Sequence, residues 1–276
     1  MQAAWWAPGR WAGEASSLLH LVRGRLRGRD LALIGAGLTF YAGLAVVPLL
    51  VVALALTARL TSDATVRELG TRLAELLPGE IGAPDAVERL VAAGISLDFW
   101  HGLLALLPMS LYGEGLRRAL LRFSGHQESL TGWRGRLLAL PLLVVTPLVL
   151  YPLLLVARTM ADLKADGAQV GSIAVGFYAV LAGLAVPLLW GFRVVAAQRL
   201  GWRALLVGVP FTAACLSGFL QGFVLFLSLP LDLGAPFGGL TVVGGVVAIG
   251  LWLFLLHLVL IAGWLFTQAL DERFRQ

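Results

Sequence analysis

Six long apolar stretches dominate the chain, separated by connectors that are alternately basic and acidic or neutral. The stretches lie near residues 31–58, 99–120, 137–159, 170–192, 204–229 and 240–269. A helix needs about 20 apolar residues to cross the hydrocarbon core of a bilayer, and continuous runs of this kind differ from the short alternating segments of membrane barrels. The pattern predicts an all-α polytopic membrane protein with six transmembrane helices in one domain, residues 31–270.

Basic residues mark one side of the predicted membrane domain. Most of the 21 Lys and Arg residues lie before the first stretch, between the second and third, between the fourth and fifth, and after the last. Short connectors rich in Lys and Arg stay on the cytoplasmic side. Both termini are therefore predicted to be cytoplasmic, with residues 271–276 as a short tail.

The segment before the first stretch, residues 1–30, has an amphipathic pattern. Leu18, Leu19, Val22 and Leu26 fall on one helical face, and arginines lie beside them. A basic amphipathic helix of this type lies in the membrane interface. We therefore predict an interfacial helix on the cytoplasmic leaflet.

The longest hydrophilic connector, residues 59–98, falls on the opposite side. Val66, Leu69, Leu73 and Leu76 recur at helical spacing, and Pro78-Gly79 ends the pattern. Asp85 and Glu88 then resemble a capping pair at the start of a second helix. Two short amphipathic helices are predicted to cap the outer surface, either as a packed lid or as the lining of an entrance.

Composition and charge narrow the function. Only 13% of the residues are charged, against about 25% in soluble domains. The basic residues sit at membrane boundaries, so anionic lipid headgroups are predicted as partners and nucleic acid is not. The single Cys215 excludes an internal disulfide and is predicted to pack inside the bundle.

No catalytic constellation is evident in the sequence. The four His residues have no metal-ligand spacing, and no phosphate-binding loop, dinucleotide motif or nucleophile elbow is present. We predict a protein that is not an enzyme and that has no cofactor and no metal site.

Prolines interrupt most of the apolar stretches. Pro48, Pro108, Pro187 and Pro210 each remove a backbone donor inside a predicted span. In lipid, the freed carbonyls must find other partners, which happens where helices line a cavity. These prolines are predicted to break their helices and are candidate gating positions, the alternative being simple kinks that fit helix packing.

Polar residues inside the spans are candidates for a transport pathway, since lipid tolerates them only when they are paired or face a cavity. They are Tyr112, Glu114, Arg117, Arg118, Ser217, Gln221 and His257. Glu114 precedes Arg117 and Arg118 by three and four residues, which predicts an ion pair, or alternatively a proton or substrate site.

Segments five and six carry the other polar candidates. His257 is predicted to bond Gln221 or a backbone carbonyl, or to titrate during a proton-coupled cycle. The Gly218-x-x-x-Gly222 spacing beside Gln221 predicts close contact between two helices.

Two pairs of segments share local sequence. The spacing from Trp100 to Pro108 recurs from Trp202 to Pro210, and residues 40–50 resemble residues 177–189. Three-helix halves related in this way would run oppositely through the bilayer, as in many transporters. Chance similarity among Leu- and Ala-rich segments is the alternative.

Several blocks resemble the YihY/BrkB family of bacterial inner-membrane proteins, once mislabelled ribonuclease BN. They are residues 40–50 (FYAGLAVVPLL), Tyr112-Gly113 with Arg117-Arg118, Trp202-Arg203 with Gly208, and Phe237-Gly238-Gly239 with Trp252 and Gly263. Ala45 and Leu265 replace the Ser and the acidic residue usual in the family, so no role of those polar side chains is carried over.

The resemblance implies a six-helix protein of the bacterial cytoplasmic (inner) membrane, with export or lipid-related transport as the usual suggestion. Two functions follow as hypotheses. A translocator of a lipid or amphipathic solute predicts a continuous cavity lined by Tyr112, Glu114, Gln221 and His257. A structural or assembly factor predicts a closed core and an outer cap that contacts partners. The sequence is compatible with a homo-oligomer in either case.

Overall fold

The computed structural model describes residues 22–24, 29–77, 82–124, 131–196, 198–227, 229 and 231–275. This part of the chain contains helices and no strands. The α-helices are α1 (Leu31–Leu60), α2 (Asp63–Ala74), α3 (Ala83–Ile95), α4 (Phe99–Ser124), α5 (Thr131–Ala165), α6 (Gln169–Trp190), α7 (Trp202–Leu227) and α8 (Thr241–Arg275). A π-helical turn, Gly191–Val195, extends α6, and a short 3₁₀ turn, Ala235–Phe237, precedes α8.

Four helices of the described chain are long and apolar enough to cross a membrane. They are α1, α6 with its π-helical turn, α7 and α8. The chain is therefore an all-helical membrane protein. The other two predicted spans correspond to α4 and α5, which fall outside this set. In α4 the second half carries Glu114, Arg117, Arg118 and Arg122, so the uninterrupted apolar part is short.

The six long helices form a closed ring. Each packs against the next in the chain, in the order α1, α4, α5, α6, α7 and α8, and α8 returns to α1. Helix α1 also packs against α5, whereas α6 and α8 make at most marginal contact. The two three-helix triplets are therefore packed differently, and the repeat stays a prediction. The ring encloses the site described below.

One end of the ring is densely packed. Side chains near the end of α4, the start of α7 and the second half of α8 form its core, which includes Leu120, Phe192, Leu205, Ile261 and Trp264, all almost fully buried. We call this the closed end. At the opposite, open end, the first turns of α4 and α8 expose Leu104, Leu107, Val242 and Val246.

The two short helices predicted for residues 59–98 are present. Helix α2 begins after Ser62, whose hydroxyl accepts a hydrogen bond from the Thr65 amide. The predicted cap of the second helix was wrong: α3 begins after Gly82, which has a positive φ of 68°, and Asp85 lies inside its first turn. Pro78-Gly79 lies outside the described residues.

Close glycine contacts fix the two short helices to each other and to α1. A β-carbon on Gly70 of α2 would lie 2.7 Å from Val91 of α3, and one on Gly94 of α3 would lie 2.6 Å from Leu54 of α1. Such distances leave no room for a side chain. The two helices therefore form a packed layer, which we call the cap, on α1 and α5.

The prediction of proline-broken helices was wrong for the four named positions. Pro48, Pro108, Pro187 and Pro210 lie inside α1, α4, α6 and α7, which continue past them. A proline removes one donor, and a long helix tolerates this loss when its neighbours hold it in place. The departure from α-helical geometry occurs instead at Gly191–Val195, just after Pro187.

Two other predictions concern the N-terminal segment, residues 1–30, and Cys215. Most of the predicted interfacial helix in residues 1–30 lies outside the described residues. Cys215 was expected to pack inside the bundle, but its side chain is exposed on α7. The apolar run around it therefore reflects a surface that faces lipid as well as the interior of the bundle.

Candidate functional site

A cavity of about 270 Å³ lies inside the ring, and all six long helices contribute to its wall. Its lining is almost entirely aliphatic: Ala42, Ala45, Val46, Leu49, Tyr112, Leu116, Leu120, Leu142, Leu184, Pro187, Leu188, Gly191, Phe192, Leu216, Leu220, Leu253, Leu256, His257 and Leu260. We call it the central cavity. Leu120 and Phe192 are almost fully buried, whereas Val46 is partly exposed, so the cavity is sealed toward the closed end.

Two polar side chains, Tyr112 and His257, face this apolar cavity as a pair. The Tyr112 hydroxyl lies 3.3 Å from Nε2 of His257, and the rings meet edge to face with centroids 5.8 Å apart. Nδ1 of His257 lies 2.6 Å from the Leu253 carbonyl oxygen, which only accepts. The Nδ1–H tautomer therefore fits, so that Tyr112 donates to Nε2.

Thr39 of α1 extends the polar pair to a third helix. Its hydroxyl donates to the Gly35 carbonyl at 2.8 Å and lies 3.4 Å from Nδ1 of His257. A neutral His257 is thus surrounded by partners from α1, α4 and its own helix. In an apolar wall such a pair supplies a hydrogen-bonding group for the polar part of a ligand.

The π-helical turn forms the floor of the central cavity. Gly191 and Phe192 line it, and Arg117 of α4 donates from Nη1 to the Val195 carbonyl oxygen at 2.7 Å. One turn earlier, Trp190 donates from its indole nitrogen to the Leu138 carbonyl at 2.8 Å. The last carbonyls of a helix have no partner within it, and here the buried Arg117 satisfies that of Val195.

Glu114 lies behind the cavity wall, in an ionic cluster. Its carboxylate accepts from Arg118 at 2.5 Å and from Arg136 of α5 at 2.7 Å, and the residue is only 7% exposed. The predicted ion pair with Arg118 is confirmed, and Arg117 donates to the Val195 carbonyl oxygen. A β-carbon on Gly135 would lie 2.7 Å from the Glu114 α-carbon, so close helix contact places Arg136 on the carboxylate.

Ser217 and Gln221 point away from the central cavity, toward α6. Ser217 donates to the Phe177 carbonyl at 2.8 Å, and Gln221 donates to the Ile173 carbonyl at 2.8 Å. The predicted bond between Gln221 and His257 was therefore wrong, whereas the alternative that was predicted, a bond from His257 to a backbone carbonyl, is present at Leu253. Ser217 and Gln221 therefore hold α7 against α6.

The expected close contact at Gly218 and Gly222 was also wrong. Added β-carbons would meet the Phe177 and Trp252 rings at 3.8 and 3.9 Å, which is ordinary packing distance. Large rings fill the space beside these glycines, so the backbones of neighbouring helices stay apart.

Polar contacts also hold the closed end, and sequence reasoning missed them. Asp271 accepts from the Gly201 amide at 2.7 Å and from Arg275 at 2.8 Å, and Gln268 donates to Ser124 at 3.1 Å. Residues 271–276 were predicted to be a tail, yet α8 extends to Arg275. The spacing of four residues between Asp271 and Arg275, which pairs opposite charges on one helical face, was the available signal in the sequence.

The structure thus brings together part of the predicted set. Tyr112 and His257 line the central cavity with Pro187, whereas Glu114 and Gln221 do not, so the expected four-residue lining was half wrong. Thr39 was missed, because a lone threonine in an apolar run has no sequence signature. Within the described residues, no group of three His, Cys, Asp or Glu side chains is placed to hold a metal ion.

Comparison with known proteins places the chain in a family. The model of the family described as virulence factor BrkB matches residues 22–276, nearly the whole chain. No curated protein and no solved structure matches it. The resemblance noted in the sequence is confirmed over its full extent. The chain belongs to the BrkB virulence factor family, also known as YihY/BrkB.

Proposed function

We propose that this protein is a translocator that moves a lipid or another amphipathic solute across the membrane. The observation that carries the proposal is the central cavity, an aliphatic chamber inside a ring of six helices with one polar pair, Tyr112 and His257, in its wall. Apolar walls suit the hydrocarbon part of an amphipathic molecule. The polar pair suits a hydroxyl, amide or ester group.

Charge supports an amphipathic substrate over a strongly charged one. The described cavity wall contains no Lys, Arg, Asp or Glu side chain, so an ion entering it would be dehydrated without a partner. Basic residues lie instead near the closed end, where Arg118, Arg136, Arg193 and Arg275 are placed. Anionic lipid headgroups are the partners that we propose for this basic surface.

The proposed membrane arrangement has six spans, with α4 and α5 crossing beside the four apolar helices. The ring supports it, because α4 and α5 are each packed between two other ring helices. Positive charge near the closed end supports an orientation with both termini in the cytoplasm of a bacterial cell and the protein in the cytoplasmic membrane. The cap then lies outside.

Cysteine labelling tests this arrangement. Cys215 is replaced by Ala, and a single cysteine is introduced at Ala64 of the cap or at Phe274 near the end of α8, both exposed positions. In intact cells, a membrane-impermeant maleimide should label Ala64→Cys and spare Phe274→Cys. Labelling of both positions in broken cells is the control, and the reverse pattern in intact cells would overturn the orientation.

A second function is favoured by the cap. Between α2 and α3 lies a polar groove of about 570 Å³, whose charged lining consists of Arg67, Asp85, Glu88 and Arg89. Such a surface suits an envelope partner protein, and the chain would then be a structural or assembly factor that moves nothing. In neither case do we propose an enzymatic reaction, a cofactor or a nucleic-acid partner.

Reconstitution separates the two functions. The purified protein is placed in phosphatidylcholine vesicles with a trace of a fluorescent phospholipid, and dithionite reports the fraction of dye reachable from outside. A translocator raises this fraction above the half found in protein-free vesicles, and it does so in proportion to the number of vesicles containing protein. An assembly factor leaves the fraction unchanged, which would contradict the proposal for this class of lipid.

A further inference from the structure

A second cavity lies on the seam between α7 and α8, beyond the central cavity toward the open end. Its volume is about 400 Å³, and Phe226, Leu231, Val242, Val246 and Ile249 are among its lining residues. We call it the seam cavity. Its apolar lining on α8 is exposed, and both helices are long and apolar enough to cross a membrane, so bilayer lipid is the medium that reaches it.

The outer wall of the seam cavity is an ordered turn. Asp232, which also lines it, accepts hydrogen bonds from the amides of Gly234 and Ala235 at 2.9 and 3.2 Å. The carboxylate is therefore occupied by the backbone. The remaining lining side chains of this cavity are aliphatic or aromatic apart from Thr241, which suits a hydrocarbon chain.

The seam cavity and the central cavity follow the same pair of helices. On α8, Ile249 lines the seam cavity and Leu253, one turn later, lines the central cavity. On α7, Leu220 and Phe226 line the central and the seam cavity, and six residues of helix separate them by about 9 Å. The two spaces are therefore consecutive along one seam.

Aromatic rings occupy the interval between the two cavities. The Trp252 ring has its centroid 4.6 Å from that of Phe219, 5.0 Å from that of Phe223 and 5.8 Å from that of Phe226. These are stacking distances between rings, and no hydrogen bond involving the Trp252 side chain is found among the described residues. Movement of the Trp252 side chain would therefore break only apolar contacts.

Size argues that a lipid needs both spaces. Pockets for drug-sized ligands have volumes of about 300–1,000 Å³, and the central cavity falls just below that range. It holds the polar group and a short part of a lipid. The rest of a long chain needs further apolar space, which the seam cavity supplies.

We propose that the seam cavity holds an acyl chain of a membrane lipid and that Trp252 is the gate through which this chain reaches the central cavity. The proposal rests on the proposed translocation of an amphipathic molecule and names the route of its apolar part. In the closed position described by the structure, the rings of Trp252 and Phe223 keep the chain on the seam side.

Photolabelling tests chain binding without requiring transport. The full-length protein is reconstituted in phosphatidylcholine vesicles containing a trace of phosphatidylcholine with a diazirine near the end of one acyl chain, and labelled residues are mapped by mass spectrometry after irradiation. We expect label at Ile249 and Phe226 in excess of label at Leu251, which lies on the same helix and is 55% exposed.

Two matched variants give the control. Ile249→Trp fills the seam cavity and should lose the label at Phe226, whereas Leu251→Trp, on the lipid-facing side of the same helix, should keep it. Ile249 is 47% exposed, so both changes are made at exposed positions that tolerate a large side chain. Equal label at Ile249 and Leu251, or label at Phe226 that Ile249→Trp does not reduce, would overturn the chain site.

The gate has its own test. In Trp252→Ala the label should extend to Leu253 and Leu256 in the central cavity, and Trp252→Phe, which keeps a ring, should retain the wild-type pattern. An unchanged pattern in Trp252→Ala would overturn the gate. Wild-type labelling without lipid translocation would contradict the proposed function alone, and translocation without seam label would contradict the inference drawn here alone.

Discussion

Thr267 of α8 occupies the space that a β-carbon on Gly208 of α7 would need. The contact is reciprocal, because Thr212 of α7 fills the equivalent space at Gly263 of α8. Each threonine also donates to the carbonyl of the glycine four residues before it, at 2.7 Å. The two helices therefore interlock at one crossing near the closed end, as expected of small residues in membrane helices.

This interlock predicts a large loss of stability in Gly263→Val. The added side chain would collide with Thr212, and overpacking of this kind costs about 1–3 kcal/mol of the free energy of unfolding. Thermal unfolding in detergent measures the loss. Gly250→Val is the matched control on the same helix, since a β-carbon there meets no atom within 4 Å. Equal destabilisation by both variants would show that helix propensity, and not the interlock, is responsible.

The ionic cluster at Glu114 predicts a second effect on stability. Glu114→Gln removes the charge that holds Arg118 and Arg136, and we expect a loss of about 1–3 kcal/mol because the carboxylate is buried. Glu75→Gln should cost less than about 0.5 kcal/mol, because its bond to Arg72 is 3.4 Å long and half-exposed. Chemical denaturation measures the free energy of unfolding of both variants. A smaller loss for Glu114→Gln than for Glu75→Gln would contradict a stabilising role of the ionic cluster.

The polar pair in the central cavity predicts a functional effect. Tyr112→Phe removes the donor to Nε2 of His257 at a cost of about 1 kcal/mol in stability, and it should also slow lipid translocation. Tyr178→Phe is the control, because its side chain is 67% exposed on α6. Translocation is measured at equal amounts of folded protein. An unchanged rate of lipid translocation in Tyr112→Phe would show that the Tyr112–His257 pair does not contribute to the pathway.

The start of α4 predicts a dependence on pH outside the membrane. Hydrogen bonds from the backbone amide of His101 and from its ring, each 2.8 Å long, lower the pKa of the Asp98 carboxyl below its ordinary value of 3.8. A lowered pKa means that the stabilising contribution is present above pH 3.8. It is lost as the pH falls through the pKa of the folded state.

Hydrogen exchange of the His101 amide, compared with that of an unstructured peptide at each pH, measures this loss. Protection in the wild type should decrease below pH 3.8. Asp98→Asn keeps an acceptor oxygen without a titrating group, so its protection should not change over the same range. A pH-dependent decrease of equal size in the variant would assign the effect to another group.

The sequence predicted the main features of the fold because they depend on the spacing of apolar residues and on the length of the apolar runs. Runs such as residues 31–58 admit only a helix, and the spacing of Val66 and Leu69 was enough to predict α2. The prediction of proline-broken helices was wrong because the cost of one missing hydrogen-bond donor is local. The contacts that keep α1 and α7 continuous come from helices that are distant in the sequence. Asp271 was assigned to a tail for the same reason, since its partner Gly201 lies 70 residues away.

The candidate site was predicted only in part. Tyr112 and His257 were singled out as polar residues in apolar segments, yet sequence alone did not pair them across 145 positions. Gln221 has the same local signature as His257 but turns to the Ile173 carbonyl. Which side of a helix faces the cavity depends on the order in which the helices are arranged around the ring. That order cannot be read from the hydropathy of the sequence.

Lipid translocation by a cavity-filled variant tests the central claim most directly. Leu220→Trp places a large ring in the central cavity, and Leu206→Trp places the same ring on the outer face of α7, where the residue is 69% exposed. With both proteins reconstituted at equal density and monitored by dithionite bleaching, we predict that Leu220→Trp loses translocation and that Leu206→Trp matches the wild type. Equal translocation by all three proteins would contradict a pathway through the ring.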